Sequence, residues 1–272
     1  GEIVFEYIRS QWLKGRNIYG KRTWRETRRV VLHTARSMNR QQEMKRLEQY
    51  FANYTPDCHI LESQGGLYEL MTRIFFFKDS RVEERLEAII NHFDYIKEVF
   101  TDQAIQSMYS VDPDNFLDDV SRIKRGIVIW QSEEVAMKAQ LYYGAGQRKE
   151  GLLTLLVTLE GKGLYHANFR FGKGLNGEKA LWIGTIQGYK DGLSNAKTAT
   201  KKMFGYRPKN FIMYLLRMIA KQTGVEAMYA VSDEGFYANT HLVRGHRAKV
   251  AELDSLWKES GGEITKDPRF YE

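Results

Sequence analysis

A single cysteine, Cys58, stands among 272 residues, so no disulfide can form within the chain and a reducing compartment is expected. Only four prolines occur, and no low-complexity linker or internal repeat is visible. No apolar run approaches the length of about 20 residues that a membrane-crossing helix needs. That predicts a soluble or peripheral protein. No signal-peptide pattern is visible either, and the expected location is cytoplasmic or peripheral at the inner membrane.

Several chemistries lack their motifs. The basic stretch over residues 197–209 holds no GKS or GKT for a P-loop and no G-x-G-x-x-G for a dinucleotide. H-E-x-x-H and G-x-S-x-G are also missing. Cys58-His59 has no second cysteine beside it, and His241 and His246 lie around Arg244 and Arg247, where positive charge repels a cation. No stable metal site is expected.

What is present is a packed chain with uneven charge. Hydrophobic residues make up 43% and aromatics 13%, enough to bury a core. Net charge is +7. Twelve lysines and arginines lie between Arg9 and Arg46, against the three acids Glu26, Glu43 and Glu48, so residues 9–48 alone carry +9. Two readings are open for this segment. It suits phosphate-bearing partners such as anionic lipid heads or RNA, or it is a solvated helix face.

Periodicity divides the chain. Residues 3–13 carry Val4, Phe5, Ile8, Trp12 and Leu13 among polar positions and predict a helix. A second helix is expected over 23–50, with Trp24, Val31, Met38 and Leu47 inward and the basic run outward. Residues 67–77 fit a short strand or a buried helix equally. Ser80-Arg81-Val82-Glu83 has the form of a capping box ahead of an apolar helical stripe from Val82 to Phe100. From Gly126 the period changes to two, predicting strands over 127–131, 137–143, 152–159, 164–171 and 180–187. Their short glycine turns imply antiparallel pairing. Pro208 then opens a helix that Gly224 ends, residues 227–231 form one more strand, and 254–259 a last short helix. The expected class is α+β, with a helical, basic part over 1–125 and a mostly antiparallel sheet with a buried helix over 126–272.

The candidate chemistry sits late in the chain. Residues 197–209 hold Lys197, Lys201, Lys202, Arg207 and Lys209 and no acid, with Gly205 and Tyr206 among them. This basic loop feeds the N-terminus of the helix opened by Pro208, where unpaired N–H groups and the helix dipole favour an anion. It reads as a phosphate or pyrophosphate dock, or as a solvated basic turn. Asp233 and Glu234 follow the strand 227–231, and His241 lies beyond them. A carboxylate or imidazole there can take a proton from an attacking amine, or the stretch is an ordinary acidic turn.

Four pieces carry a family resemblance: Ile183-Gly184-Thr185-Ile186-Gln187-Gly188, Gly205-Tyr206-Arg207-Pro208-Lys209, Tyr229-Ala230-Val231-Ser232, and the run from Asp254 through Trp257 to Gly261-Gly262. Together they resemble the bacterial VirK/YbjX family. The resemblance covers 126–262 best. It departs at Leu256, where a second aromatic is expected before Trp257. It implies a role at the Gram-negative envelope: surface virulence factors, resistance to cationic antimicrobial peptides and compensation for altered lipid A. It carries no catalytic residues across.

The order of strands, basic glycine loop, helix and strand also looks like the GNAT-type acyltransferase fold, in which the loop before the central helix holds the pyrophosphate of coenzyme A. Met203 to Arg207 would be its counterpart, although Arg207 stands where a second glycine or alanine is expected. This likeness implies a transferase with a phosphate-bearing donor, a CoA thioester or an aminoacyl-tRNA, held by Lys201, Lys202, Gly205, Tyr206, Arg207 and Lys209. Asp233, Glu234 or His241 would serve as base. The alternative is a non-enzymatic factor that sits on an anionic membrane through residues 9–46 and the apolar side chains of Phe5, Ile8 and Trp12. A general nucleic-acid-binding role, with which the tRNA-donor form of the transferase overlaps, ranks last, because no recognised RNA-binding motif is present.

Overall fold

The structure is a computed structural model. It describes residues 2–20, 23–61, 66–110, 123–189, 197, 201, 207–238 and 253–272. Among these lie seven α-helices and one seven-stranded sheet, so the fold is α+β, with its helices concentrated ahead of the sheet.

The chain opens with α1 (Glu2–Tyr19), α2 (Trp24–Ser37) and α3 (Gln41–Ala52). Thr23 starts α2 with a capping box. Its hydroxyl accepts from the Glu26 amide at 3.1 Å, and the Glu26 carboxylate accepts from the Thr23 amide at 3.1 Å. The single helix expected over 23–50 is therefore two. The Ser37 carbonyl, which would serve Gln41 in an unbroken helix, instead accepts from Tyr7 Oη at 2.7 Å and from the Arg40 amide at 3.0 Å. A tertiary contact ends α2 where no glycine or proline does.

The inward face of α2 also differs from expectation. Its buried residues are Val30, His33, Thr34 and Ser37, at i, i+3, i+4 and i+7. Trp24 is 82% exposed and Val31 47%. Gly15 explains the choice: a Cβ there would lie 3.2 Å from Val30 and 3.3 Å from His33, so α1 and α2 pack closely along a line of small and polar groups.

A 3-10 turn at Leu67–Met71 replaces the strand or helix expected over 67–77. The capping box at α4 (Val82–Val99) sits one residue later than expected. Glu84, rather than Glu83, accepts from the Arg81 amide at 3.0 Å, because the Ser80 hydroxyl donates to the Phe75 carbonyl at 2.6 Å. Thr101 caps α5 (Asp102–Tyr109), its hydroxyl accepting from the Ala104 amide.

The sheet runs in chain order. Strands β1 (Ile127–Ser132), β2 (Met137–Tyr142), β3 (Leu153–Leu159), β4 (Lys162–Lys173) and β5 (Lys179–Gly188) form an antiparallel meander. The chain then crosses through α6 (Pro208–Thr223) to β6 (Ala227–Val231), which pairs parallel to β5. After α7 (Leu253–Glu259), the two-residue β7 (Phe270–Tyr271) closes the edge antiparallel to β6.

Directly paired residues put Leu141, Leu155, Ala167 and Ile186 on one face. Phe169 and Phe171 extend that face along β4. It is covered by α4, whose His92 stacks on Phe171, and by α6, whose Phe211 meets Trp130. Tyr95 of α4 donates to the Thr223 carbonyl and joins the two helices. One continuous core runs from Met44 to Tyr271, so the later helices of the first part and the sheet share their packing.

Candidate anion-binding surface

The predicted anion loop is described only in part. Lys202, Gly205, Tyr206 and His241 lie outside the described residues. Lys201, Arg207 and Lys209 are exposed, and Pro208 is buried in the first turn of α6. Arg207 precedes that turn in extended backbone, and no acid stands in the turn itself. Neither Arg207 nor Lys209 forms an ion pair among the described residues, and neither lines the cavities described below. Helix α6 buries Phe211, Ile212, Leu215, Leu216 and Ile219, as its apolar sequence predicts. Tyr214 is 54% exposed, on the side of the helix shared with the exposed Arg217 and Lys221.

The crossover topology brings the start of α6 and the end of β6 to the same end of the parallel pair. Asp233, just beyond β6, is engaged there. Its carboxylate accepts from the amides of Leu253 at 2.7 Å and Asp254 at 3.3 Å, while Asp254 Oδ1 accepts from the Asp233 amide at 2.8 Å. The pair clamps the start of α7 to the end of β6, as a helix cap does. Trp257 Nε1 reinforces the joint by donating to the Val231 carbonyl at 2.7 Å. Glu234 is exposed on the same turn.

Three of the four family pieces meet at a cavity of 340 Å³ lined by, among others, Ile183, Tyr229, Ala230, Trp257, Gly261 and Gly262. Arg217 stands at its side and donates to the Ser260 carbonyl. Gly184, in the first piece, is required by a close approach. A Cβ there would lie 1.9 Å from the carbonyl oxygen of Glu150. Thr185, next to it, belongs to a buried polar row. Asn168 accepts from Thr154 at 2.9 Å and donates to Thr185 at 2.8 Å and to His166 Nδ1 at 3.2 Å. Glu150 is half-buried beside this face. Burial raises its carboxyl to about 7, against the pull of Lys149.

Sequence reasoning counted the positive charge of the first part but not its geometry. Arg25, Arg28, Arg29, Leu32 and Arg36 recur on α2 at i, i+3, i+4, i+7 and i+11, so they form one stripe. That spacing was the signal available. With Arg73 from the segment after the 3-10 turn, and with Tyr19, His33 and Thr72, they line a cavity of 270 Å³. Among the described residues that line it, five of nine are arginines and none is acidic. Arg29 lies over the Tyr19 ring at 5.9 Å and Arg73 over Phe75 at 5.4 Å, which restricts both guanidinium groups.

The cavity floor is neutral. His33 is buried, and burial pulls its pKa down to about 4; Glu69 opposes the shift, while Lys14 and Arg36 add to it. Its ring contacts Thr72 Oγ1 at 3.2 Å and Gln11 Oε1 at 3.3 Å. The nearby carboxylate, Glu69, is buried and paired with Arg148 at 3.1 Å. Burial, then Glu69, pushes the Tyr19 phenol up from its ordinary value. Lys14 is withdrawn from the basic set by its ion pair with Glu48 at 2.6 Å.

Apolar side chains share the exposed side of these helices. On α2, Trp24, Val31 and Leu32 are exposed and alternate around the helix with Arg25, Arg28 and Arg36. On α1, Ile3, Phe5, Ile8 and Leu13 are exposed, Ile3 by 84% and Phe5 by 68%. Trp12 is half-buried. No helix among the described residues is long and apolar enough to cross a membrane.

The family model described as protein of unknown function (DUF535) matches residues 22–272, and the chain belongs to this family, which is the VirK/YbjX family. No curated protein and no solved structure matches the chain.

Proposed function

We propose that the protein is a peripheral factor that seats α1 and α2 on an anionic, phosphate-bearing membrane surface at the inner face of the envelope. The observation that carries this reading is the mixture on α2: exposed Trp24, Val31 and Leu32 interleaved with exposed Arg25, Arg28 and Arg36. Large apolar side chains among arginines suit the boundary between headgroups and acyl chains. Each arginine near such a surface contributes about 1 kcal/mol, and salt screens the attraction. Exposed Phe5 and Ile8 extend the same character to α1. An envelope role, resistance to cationic peptides included, fits a protein that occupies anionic headgroups. Co-sedimentation with vesicles tests this. Binding should rise with anionic lipid and fall with added salt; binding indifferent to both overturns it.

A second reading, a transferase holding a CoA thioester or aminoacyl-tRNA, draws on the α6 crossover between adjacent parallel strands, with Arg207 and Lys209 exposed at its start. It ranks behind the first because the Asp233 carboxylate already accepts two backbone amides. Titration calorimetry with CoA, an acyl-CoA and tRNA tests it; absence of heat with all three removes it.

A further inference from the structure

We propose that the arginine cavity between α1, α2 and Arg73 binds one phosphomonoester group. The inference deepens the membrane reading and rests on it only for the source of the ligand, a phosphate displayed on a lipid headgroup.

Charge is the first argument. Arg25, Arg28, Arg29, Arg36 and Arg73 converge on one cavity whose lining holds no carboxylate among the described residues. None of the five forms an ion pair among the described residues. The carboxylate beneath them, Glu69, is already paired with Arg148 at 3.1 Å. The cluster therefore repels itself, and an entering anion relieves that repulsion. A phosphomonoester carries a charge of about −1.5 to −2 and three terminal oxygens, whereas a phosphodiester carries one charge and two such oxygens. Five guanidinium groups match the former better.

Residue type and size agree. Every cation among the described lining residues is arginine, whose planar fork bonds phosphate oxygens in pairs. Stacking on Tyr19 and Phe75 holds Arg29 and Arg73 with fewer rotamers to lose on binding. The 270 Å³ volume falls just below the range of roughly 300–1,000 Å³ typical of pockets for drug-sized ligands. It suits a phosphoryl group with a short stem rather than a whole nucleotide cofactor. His33 stays neutral on the floor, so recognition falls to the arginines.

The test uses the full chain and two kinds of probe. Calorimetry with inorganic phosphate and glycerol phosphate reads the cavity alone. Vesicles of phosphatidylcholine with phosphatidic acid, or with phosphatidylglycerol at matched surface charge, separate a monoester headgroup from charge in general. The variants are Arg28→Gln and Arg73→Gln in the lining and Arg46→Gln on the exposed face of α3 as control. Arg28 is exposed, so its variant keeps the fold even if that of Arg73 does not, and thermal melts check both.

The expected result is binding of glycerol phosphate by wild type and Arg46→Gln, weakened about tenfold or more in the two cavity variants. Phosphatidic acid should bind better than phosphatidylglycerol, and that preference should vanish in the cavity variants. Glycerol phosphate binding with no vesicle binding supports the cavity and sinks the membrane reading. No heat with either soluble probe, together with equal binding of the two vesicle types, overturns the cavity and leaves the membrane reading standing. Equal losses in Arg46→Gln and the cavity variants also overturn it.

Discussion

The Phe171 amide donates to Nδ1 of His92 at 3.0 Å, so the proton of this buried ring lies on Nε2, which faces Tyr109 Oη at 2.6 Å. Tyr109 in turn donates to the Leu152 carbonyl at 2.8 Å. The chain of bonds ties α4 to β4 and to the start of β3, and it requires a neutral imidazole.

Stability should therefore depend on pH in a defined window. Burial, then Arg170, holds His92 well below the ordinary value of 6.5, and burial brings His33 to about 4. The unfolded chain takes up these protons first as pH falls. The stability both rings provide is complete above about 6.5 and is lost on acidification toward the folded values. Glu150 acts oppositely. Raised from 4.5 to about 7, it costs stability as pH rises through that interval. Between about pH 6.5 and 4.5 the two histidines outweigh Glu150, so unfolding takes up protons on balance and stability falls with acidification. Urea melts across that range should show the slope, and His92→Gln should flatten it. An unchanged slope in the variant refutes the assignment.

The ion pair between Glu69 and Arg148 yields a second prediction. Glu69 is 1% exposed and loses its only ion-pair partner among the described residues if Arg148 is shortened. Arg148→Met should cost about 3–5 kcal/mol, because an uncompensated charge remains buried. The double variant Arg148→Met with Glu69→Leu should recover much of that loss. Chemical denaturation of both variants decides it; equal losses would mean that packing matters here and charge does not.

How much of this was legible follows from the range over which each feature is determined. The five meander strands could be read to within about two residues, because alternation is local and one face of β2 to β5 lies on a common core. Pro208 and Gly224 marked α6 for equally local reasons, Gly224 having a φ of +76°. The break after Ser37 was invisible because Tyr7, thirty residues away, causes it. Trp24 and Val31 were expected inside on hydrophobicity alone, yet Gly15 admits only the slimmer side of α2. Strand β7 has two residues, too few for a period. The arginine stripe was written in the spacing of α2, but its completion by Arg73 depends on a turn nearly forty residues onward.

Asp233 gives a prediction that separates cap from catalytic base. If its carboxylate serves the amides of Leu253 and Asp254, Asp233→Ala should destabilise the fold by about 0.5–2 kcal/mol. Asp233→Ser, which keeps an acceptor, should recover part of this. Thermal melts report both. A fully stable Asp233→Ala protein would return this residue to the list of candidate bases.

Trp24 supplies the sharpest contrast between stability and association. It is 82% exposed in the first turn of α2, whereas Trp257 is 2% exposed and bonded to the Val231 carbonyl. Trp24→Ser removes nothing from the core, so the folding free energy should stay within about 0.5 kcal/mol of wild type. Transfer of a large aromatic side chain from water to the headgroup boundary contributes on the order of 1–2 kcal/mol when partly buried. Vesicle affinity should therefore drop about tenfold, with the salt dependence unchanged because the arginines remain. Trp257→Ser should do the reverse and unfold the C-terminal joint before any effect on membranes can be read. If Trp24→Ser binds anionic vesicles as wild type does, the apolar half of the surface plays no part. The arginines would then act at a distance, without insertion.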